Sequence, residues 1–125
     1  MKSIPKSLKT WFTIHFIVDI LFAIPLIVAP IWTLGLFGLT GTEMLTARLV
    51  GAALIGIGGT SFLVRNSGFE SYNNLLTLKI LWSVSAMVGI LLTIYQGAPK
   101  SAWIIFGIFF VFSGIWVYYK RRLNK

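Results

Sequence analysis

The chain contains no cysteine. That excludes a disulfide framework, a thiolate metal site and a cysteine nucleophile. Charge is scarce as well. Charged residues make up 11% of the 125 positions, where a typical soluble domain has about 25%. His15 is the only histidine, and there is no His-x-x-x-His or Glu-x-x-His pair, so a carboxylate-bridged metal site is not expected. A haem held by two histidines would need two chains, unless Met44 or Met87 supplied the second ligand, and Met44 belongs near the opposite membrane face. The glycines of "GIGG" (56–59) lie in an apolar helix and follow no strand, so they make no phosphate loop. Serine nucleophile elbows are missing. Ser83 follows Lys79 by four residues, but no oxyanion arrangement accompanies it. No metal ion, cofactor or catalytic residue is therefore assigned, and the motifs point away from an enzyme.

What is present is apolar surface. Hydrophobic residues account for 57% of the chain before glycine is counted, and a protein this small has too little interior to bury so much. Lipid must cover the rest. A spanning helix needs about 20 predominantly apolar residues, and four segments qualify: 8–28, 45–64, 75–95 and 102–119. No repeat, low-complexity tract or linker interrupts them. The expected fold is all-α, an integral membrane four-helix bundle forming a single transmembrane domain over 1–125. The first segment has a basic start, but His15 and Asp19 break its apolar run and no small-x-small cleavage site follows. It reads as a retained helix rather than a signal peptide. The net charge of +8 does not imply nucleic acid, because the basic residues sit at helix ends rather than along one soluble face.

Those basic residues also orient the chain. Lys2, Lys6, Lys9, Arg65, Lys120, Arg121, Arg122 and Lys125 fall on one side of the membrane, and only Arg48 and Lys100 on the other. The positive-inside rule then puts both termini in the cytoplasm and the protein in the plasma (inner) membrane. Aromatic residues agree, with Trp11, Tyr72, Trp116, Tyr118 and Tyr119 near the inner interface and Trp32, Tyr95 and Trp103 near the outer one. "NSGFESYNN" (66–74) reads as a short polar inner turn and "QGAPK" (96–100) as a tight outer turn. The stretch at 30–43 is longer, glycine-rich and still apolar. It should lie in the interface or fold back on the bundle, since irregular backbone cannot face lipid at depth; a short interfacial helix fits within 30–44.

Helices in lipid associate through close contact and polar links. Ala52, Gly56 and Gly59 recur at four and three residues and share a face, with Arg48 one turn before them. Gly107 and Gly114 align in the same way on the last span. Internal packing explains both stripes, and a homo-oligomer seam is the alternative. Pro25 cannot donate to the carbonyl of Leu21, so a kink or a bound hydroxyl is expected there. Packing tolerance accounts for it, and a hinge or cavity wall above Asp19 is the functional alternative. Arg48 would contact lipid headgroups or Glu43, or bind an anion. Arg65 and Glu70 flank the inner loop as a solvated pair or as orienting charges.

The candidate site is "WFTIHFIVDI" (11–20). His15 and Asp19 are four residues apart and stack on one helix face. Counted from Lys9 at 1.5 Å per residue, His15 is about 9 Å deep and Asp19 about 15 Å, close to mid-membrane. An isolated charge there costs about 3 to 10 kcal/mol or more. A carboxylate so placed must be paired, protonated or wetted. On the third span, Lys79, Ser83, Ala86, Ile90 and Thr93 share a face, with Lys79 about 6–10 Å deep. Lys79 is then the expected counter-charge, with Trp82 and Ser83 level with Asp19 and able to donate to it. The competing explanation is that the triad only fixes helix register while Lys79 snorkels.

The short spans and "ARLVGAALIGIG", with Arg48 opening the second span and Gly51 and Gly56 after it, resemble the small four-helix membrane proteins of the DoxX-like type and related families of unknown function. The resemblance implies a four-helix bundle and, for some members, association with quinol-oxidising or other redox complexes. No functional residue is carried over from it. The expected function is binding or transporting a small, largely apolar molecule (a lipid, a quinone or similar), with His15, Asp19, Lys79, Trp82, Ser83 and Arg48 as ligand-binding residues. The alternatives are a non-catalytic accessory subunit of a larger membrane complex, or a membrane enzyme using Asp19 or His15 as acid/base. Expected partners are membrane lipids, that ligand and a second copy through the glycine-rich faces, with no nucleic acid.

Overall fold

The computed structural model describes residues 3–40 and 43–125; Lys2, one of the orienting cations, and positions 41–42 of the connection between the first two spans lie outside them. The described residues are helical, with no strand among them. In chain order the helices are α1 (Lys6–Val28), α2 (Pro30–Gly35), α3 (Met44–Leu63), α4 (Phe69–Tyr95) and α5 (Ala102–Leu123). Four of them, all but α2, are long and apolar enough to cross a membrane. Only 22–28% of each of these spans is buried within the protein, so most of their apolar surface is left for lipid. The chain forms two compact units, Ile4–Ser67 and Gly68–Lys125, each built on a pair of antiparallel helices.

In the first unit α1 turns one stripe inward, Leu8, Phe12, His15, Asp19, Ala23 and Leu26. The three- and four-residue spacing keeps these on a single helix face. α3 answers with Ala47, Gly51, Leu54, Gly58 and Ser61. The backbones approach closely where the small residues meet. A Cβ at Gly51 would lie 2.7 Å from Ile27 Cγ1 and 3.1 Å from the Ala23 carbonyl oxygen. Such approach is how helices gain contact where lipid removes the hydrophobic drive. Towards the other end Phe16 stacks on Phe62, with centroids 4.6 Å apart.

Between α1 and α3 runs the six-residue α2, within the 30–44 stretch. Thr33 Oγ1 donates to the Ala29 carbonyl at 2.7 Å. The helix stops at Gly38, whose φ of 72° is left-handed. There Leu39 N–H reaches the Leu34 carbonyl (3.0 Å) and Gly38 N–H the Gly35 carbonyl (2.9 Å). These two bonds consume carbonyls that the helix end leaves open, and glycine makes the bend without strain.

The second unit pairs α4 with α5. α4 buries Tyr72, Leu75, Leu76, Lys79 and Ser83; α5 buries Ala102, Ser113, Trp116, Tyr119 and Leu123. Asn73 is the polar clasp at one end. Its Oδ1 accepts from Lys120 Nζ at 2.7 Å and from Asn124 Nδ2 at 2.8 Å. Trp82 and Phe109 meet further along, with centroids 6.2 Å apart. The connection at 96–100 is short, and Gly97 (φ 100°) makes the same kind of cap as Gly38.

Several expectations change. The stripe Ala52, Gly56 and Gly59 is not the face of α3 that packs on α1: Ala52 and Gly56 are exposed, and a Cβ at Gly56 or Gly59 would meet nothing within 4 Å. The packed stripe is Ala47, Gly51, Gly58 and Ser61, rotated by about one residue, because α1 offers it Asp19 and Ala23. Gly107 and Gly114 are likewise open. The polar turn is shorter than 66–74, since α4 begins at Phe69 behind Gly68, with Glu70 in its first turn. A carboxylate there favours the helix start. The last helix runs on through the basic residues to Leu123. Tyr72, Trp116 and Tyr119 are buried wherever along the span they fall.

Candidate functional site

His15 and Asp19 sit where their spacing puts them, on the inward stripe of α1. His15 is 7% exposed and Asp19 4%. The His15 Nε2 lies 3.3 Å from Asp19 Oδ1, an ion pair when the ring is protonated. The contact follows directly from the i, i+4 spacing on a helix.

What fixes the carboxylate against α3 is Gly58. A Cβ built at Gly58 would stand 2.8 Å from Asp19 Cβ and 2.8 Å from Oδ2. Any side chain at residue 58 would therefore occupy the space of the carboxylate. Gly58 is a shaping residue that the sequence reading passed over. Its available signal was the seven-residue interval from Gly51, which places the two glycines on one face of α3.

Arg48 is exposed at the start of α3. Its Nε donates to the Ile27 carbonyl at 2.9 Å, rather than to Glu43. Ile27 is in the last turn of α1, where carbonyls lack intrahelical partners and carry the helix's partial negative charge. Arg48 thus caps α1 from α3. Glu43 instead stands beside the hydroxyl of Thr46 at 3.5 Å. Arg65 Nη1 donates to the Phe62 carbonyl at 2.7 Å, and its guanidinium lies 3.9 Å over the Phe62 ring.

Lys79, Trp82 and Ser83 belong to the second unit. Lys79 is fully buried, at 0% exposure, and its Nζ stands 4.9 Å from the centroid of the Trp116 ring. An ammonium at that distance is attracted by the face of the indole. Trp116 is held in turn by Phe112, stacked at 5.7 Å. Ser83 is buried, and its hydroxyl donates to the Ile80 carbonyl at 3.1 Å. That bond is local back-bonding of the kind serines make within helices. Trp82 is half-buried against Phe109.

The first-unit arrangement is a carboxylate and an imidazole side by side in a span. It can accept a proton or a hydrogen bond, donate one from the ring, and fix a hydroxyl or carbonyl. Among the described residues no three His, Cys, Asp or Glu side chains gather as a metal site. No family model, curated protein or solved structure matches this chain.

Proposed function

We propose that this multi-pass protein of the plasma membrane binds or moves a small, largely apolar molecule whose polar end is held by His15 and Asp19. The observation that carries the reading is the buried pair itself, 3.3 Å apart inside α1 and seated against Gly58. Intramembrane ionisable residues are costly and mark functional paths more often than not. A ligand with a carbonyl or hydroxyl at one end, such as a quinone or a lipid-like metabolite, matches the chemistry of the pair. The positive-inside bias puts both termini in the cytoplasm, and α2 then lies at the outer interface.

The test is native mass spectrometry of gently extracted protein. The wild type should carry a small apolar molecule, and Asp19→Asn, which keeps the volume beside Gly58, should lose it. Equal retention by the two proteins would end the proposal.

A second reading rests on the open stripe of Ala52, Gly56 and Gly59 on α3. Such a stripe suits a second copy or a partner subunit, as in an accessory component of a larger membrane complex. Gly56→Leu would then lower the mass of the extracted assembly measured by light scattering. An unchanged mass removes this reading.

A further inference from the structure

We infer that the outward face at the C-terminal end of α5 is a binding site for one anionic phospholipid. The face is concave, with a volume of about 600 Å³, lined by Gly114, Val117, Tyr118, Arg121, Arg122 and Lys125. These residues recur at three and four positions, so they form one stripe about 16 Å long at 1.5 Å per residue. The stripe is graded. Gly114 supplies a notch, since a Cβ there would meet nothing within 4 Å. Val117 adds apolar wall, Tyr118 is 57% exposed, and three cations close the end. An acyl chain, a glycerol ester and a phosphate follow the same order. Arginine forks suit phosphate oxygens in particular.

The charge balance of the chain makes the case specific. There are three acidic residues in all. Asp19 lies beside His15, Glu43 beside Thr46, and Glu70 in the first turn of α4. Among the described residues, none pairs with Arg121, Arg122 or Lys125. Lys120, next to them in sequence, is a different case: its ammonium is turned inward onto Asn73. The partial negative charge at a helix C-terminus amounts to about half an elementary charge. That is too little to balance three exposed cations, and no acidic side chain among the described residues sits on them, so the stripe is free to take an anion from outside. The continuity of the cations with the apolar notch selects a phospholipid over a free phosphate ion. This inference is independent of the His15–Asp19 reading.

The experiment titrates the full chain in neutral detergent with dioleoyl phosphatidylglycerol, dioleoyl phosphatidylcholine or inorganic phosphate, reading bound species by native mass spectrometry. The wild type should prefer phosphatidylglycerol. R121Q/R122Q/K125Q should weaken it about a hundredfold, at about fivefold per charge. G114L keeps every charge and has room to fold, yet fills the notch; it should weaken the lipid at least about tenfold. K6Q/K9Q removes two cations elsewhere and should leave the affinity within about twofold. Equal binding of the two lipids overturns the inference, as does a loss in K6Q/K9Q matching the triple variant charge for charge. Phosphate competing as well as the lipid, or G114L binding like wild type, overturns the lipid assignment. Circular dichroism of each variant confirms that the helices are retained.

Discussion

Replacing Gly58 with alanine puts a methyl group where Asp19 already sits. The new Cβ would be 2.8 Å from Asp19 Cβ and 2.8 Å from Oδ2. The Cβ of Asp19 is anchored to the helix and cannot swing aside, so either the α1 and α3 backbones separate or the carboxylate leaves His15. Overpacking of this kind costs about 1–3 kcal/mol. Alanine returns about 0.8–1 kcal/mol of helix propensity over glycine. The net change is a destabilisation of about 0–2 kcal/mol, small enough to need an internal reference. Gly56→Ala supplies it, because a Cβ there meets nothing within 4 Å, and it keeps the same propensity gain. The two variants should therefore differ by about 1–3 kcal/mol in the unfolding free energy measured by denaturant titration in detergent. The double variant G58A/D19G moves the glycine to the other helix and should show a favourable coupling energy. If G58A and G56A are equally stable, the Asp19–Gly58 seam is not as described and the site built on it falls.

Arg48→Gln leaves the Ile27 carbonyl without its cap and should cost about 1 kcal/mol, read as a lower thermal midpoint; an unchanged midpoint removes the capping role. Asn73→Ala breaks two side-chain bonds, to Lys120 and Asn124, and should destabilise the α4–α5 pair by about 1–2 kcal/mol in the same melt. The cysteine-free background allows orientation to be read with single cysteines. Ser67→Cys should react with a membrane-impermeant maleimide only from the cytoplasmic side and Lys100→Cys only from the outer side; the opposite pattern reverses the topology.

The spans were legible because length and apolarity are one-dimensional properties. The tight turn at 96–100 was readable for a similar reason, and Gly97 supplies its left-handed residue, whereas Gly38 was one unmarked glycine in a glycine-rich stretch. Which stripe of α3 is packed was not readable. Ala52, Gly56 and Gly59 share a face as well as Gly51 and Gly58 do, and only the facing Asp19 and Ala23 decide between them. Arg48 shows the same limit. A sequence offers nearby carboxylates as partners for a cation, whereas the acceptor here is a backbone carbonyl 21 residues away that exists only once α1 ends. The aromatics Tyr72, Trp116 and Tyr119 lie near helix ends, where a belt residue and a core residue look alike. Polar composition hid the first turn of α4, although Glu70 there was a usable helix-start signal. His15 and Asp19 were visible because ionisable groups are rare in such segments. Gly58, which shapes their surroundings, was not singled out, since the Gly51–Gly58 interval competes with the equally regular Ala52, Gly56 and Gly59 until the facing residues are known.

The pair of His15 and Asp19 also bears on why a span would keep ionisable groups at all. Their contact joins two residues of the same helix, so it does not by itself set α1 against α3. Other features already do that: the close approach at Gly51, the Phe16–Phe62 stack and the Arg48 bond to Ile27. A charged residue at the centre of a span costs about 3 kcal/mol even on the mildest scale, and replacing buried ionic groups with apolar ones of similar shape is often neutral or stabilising by about 1–4 kcal/mol. The double variant H15F/D19L keeps the volume and removes the chemistry. Under the ligand-binding proposal it should unfold at the same or higher denaturant concentration than wild type and lose the bound small molecule. If it instead loses its helical signal or unfolds much more readily, the pair is holding the helices together, and its burial ceases to argue for a ligand.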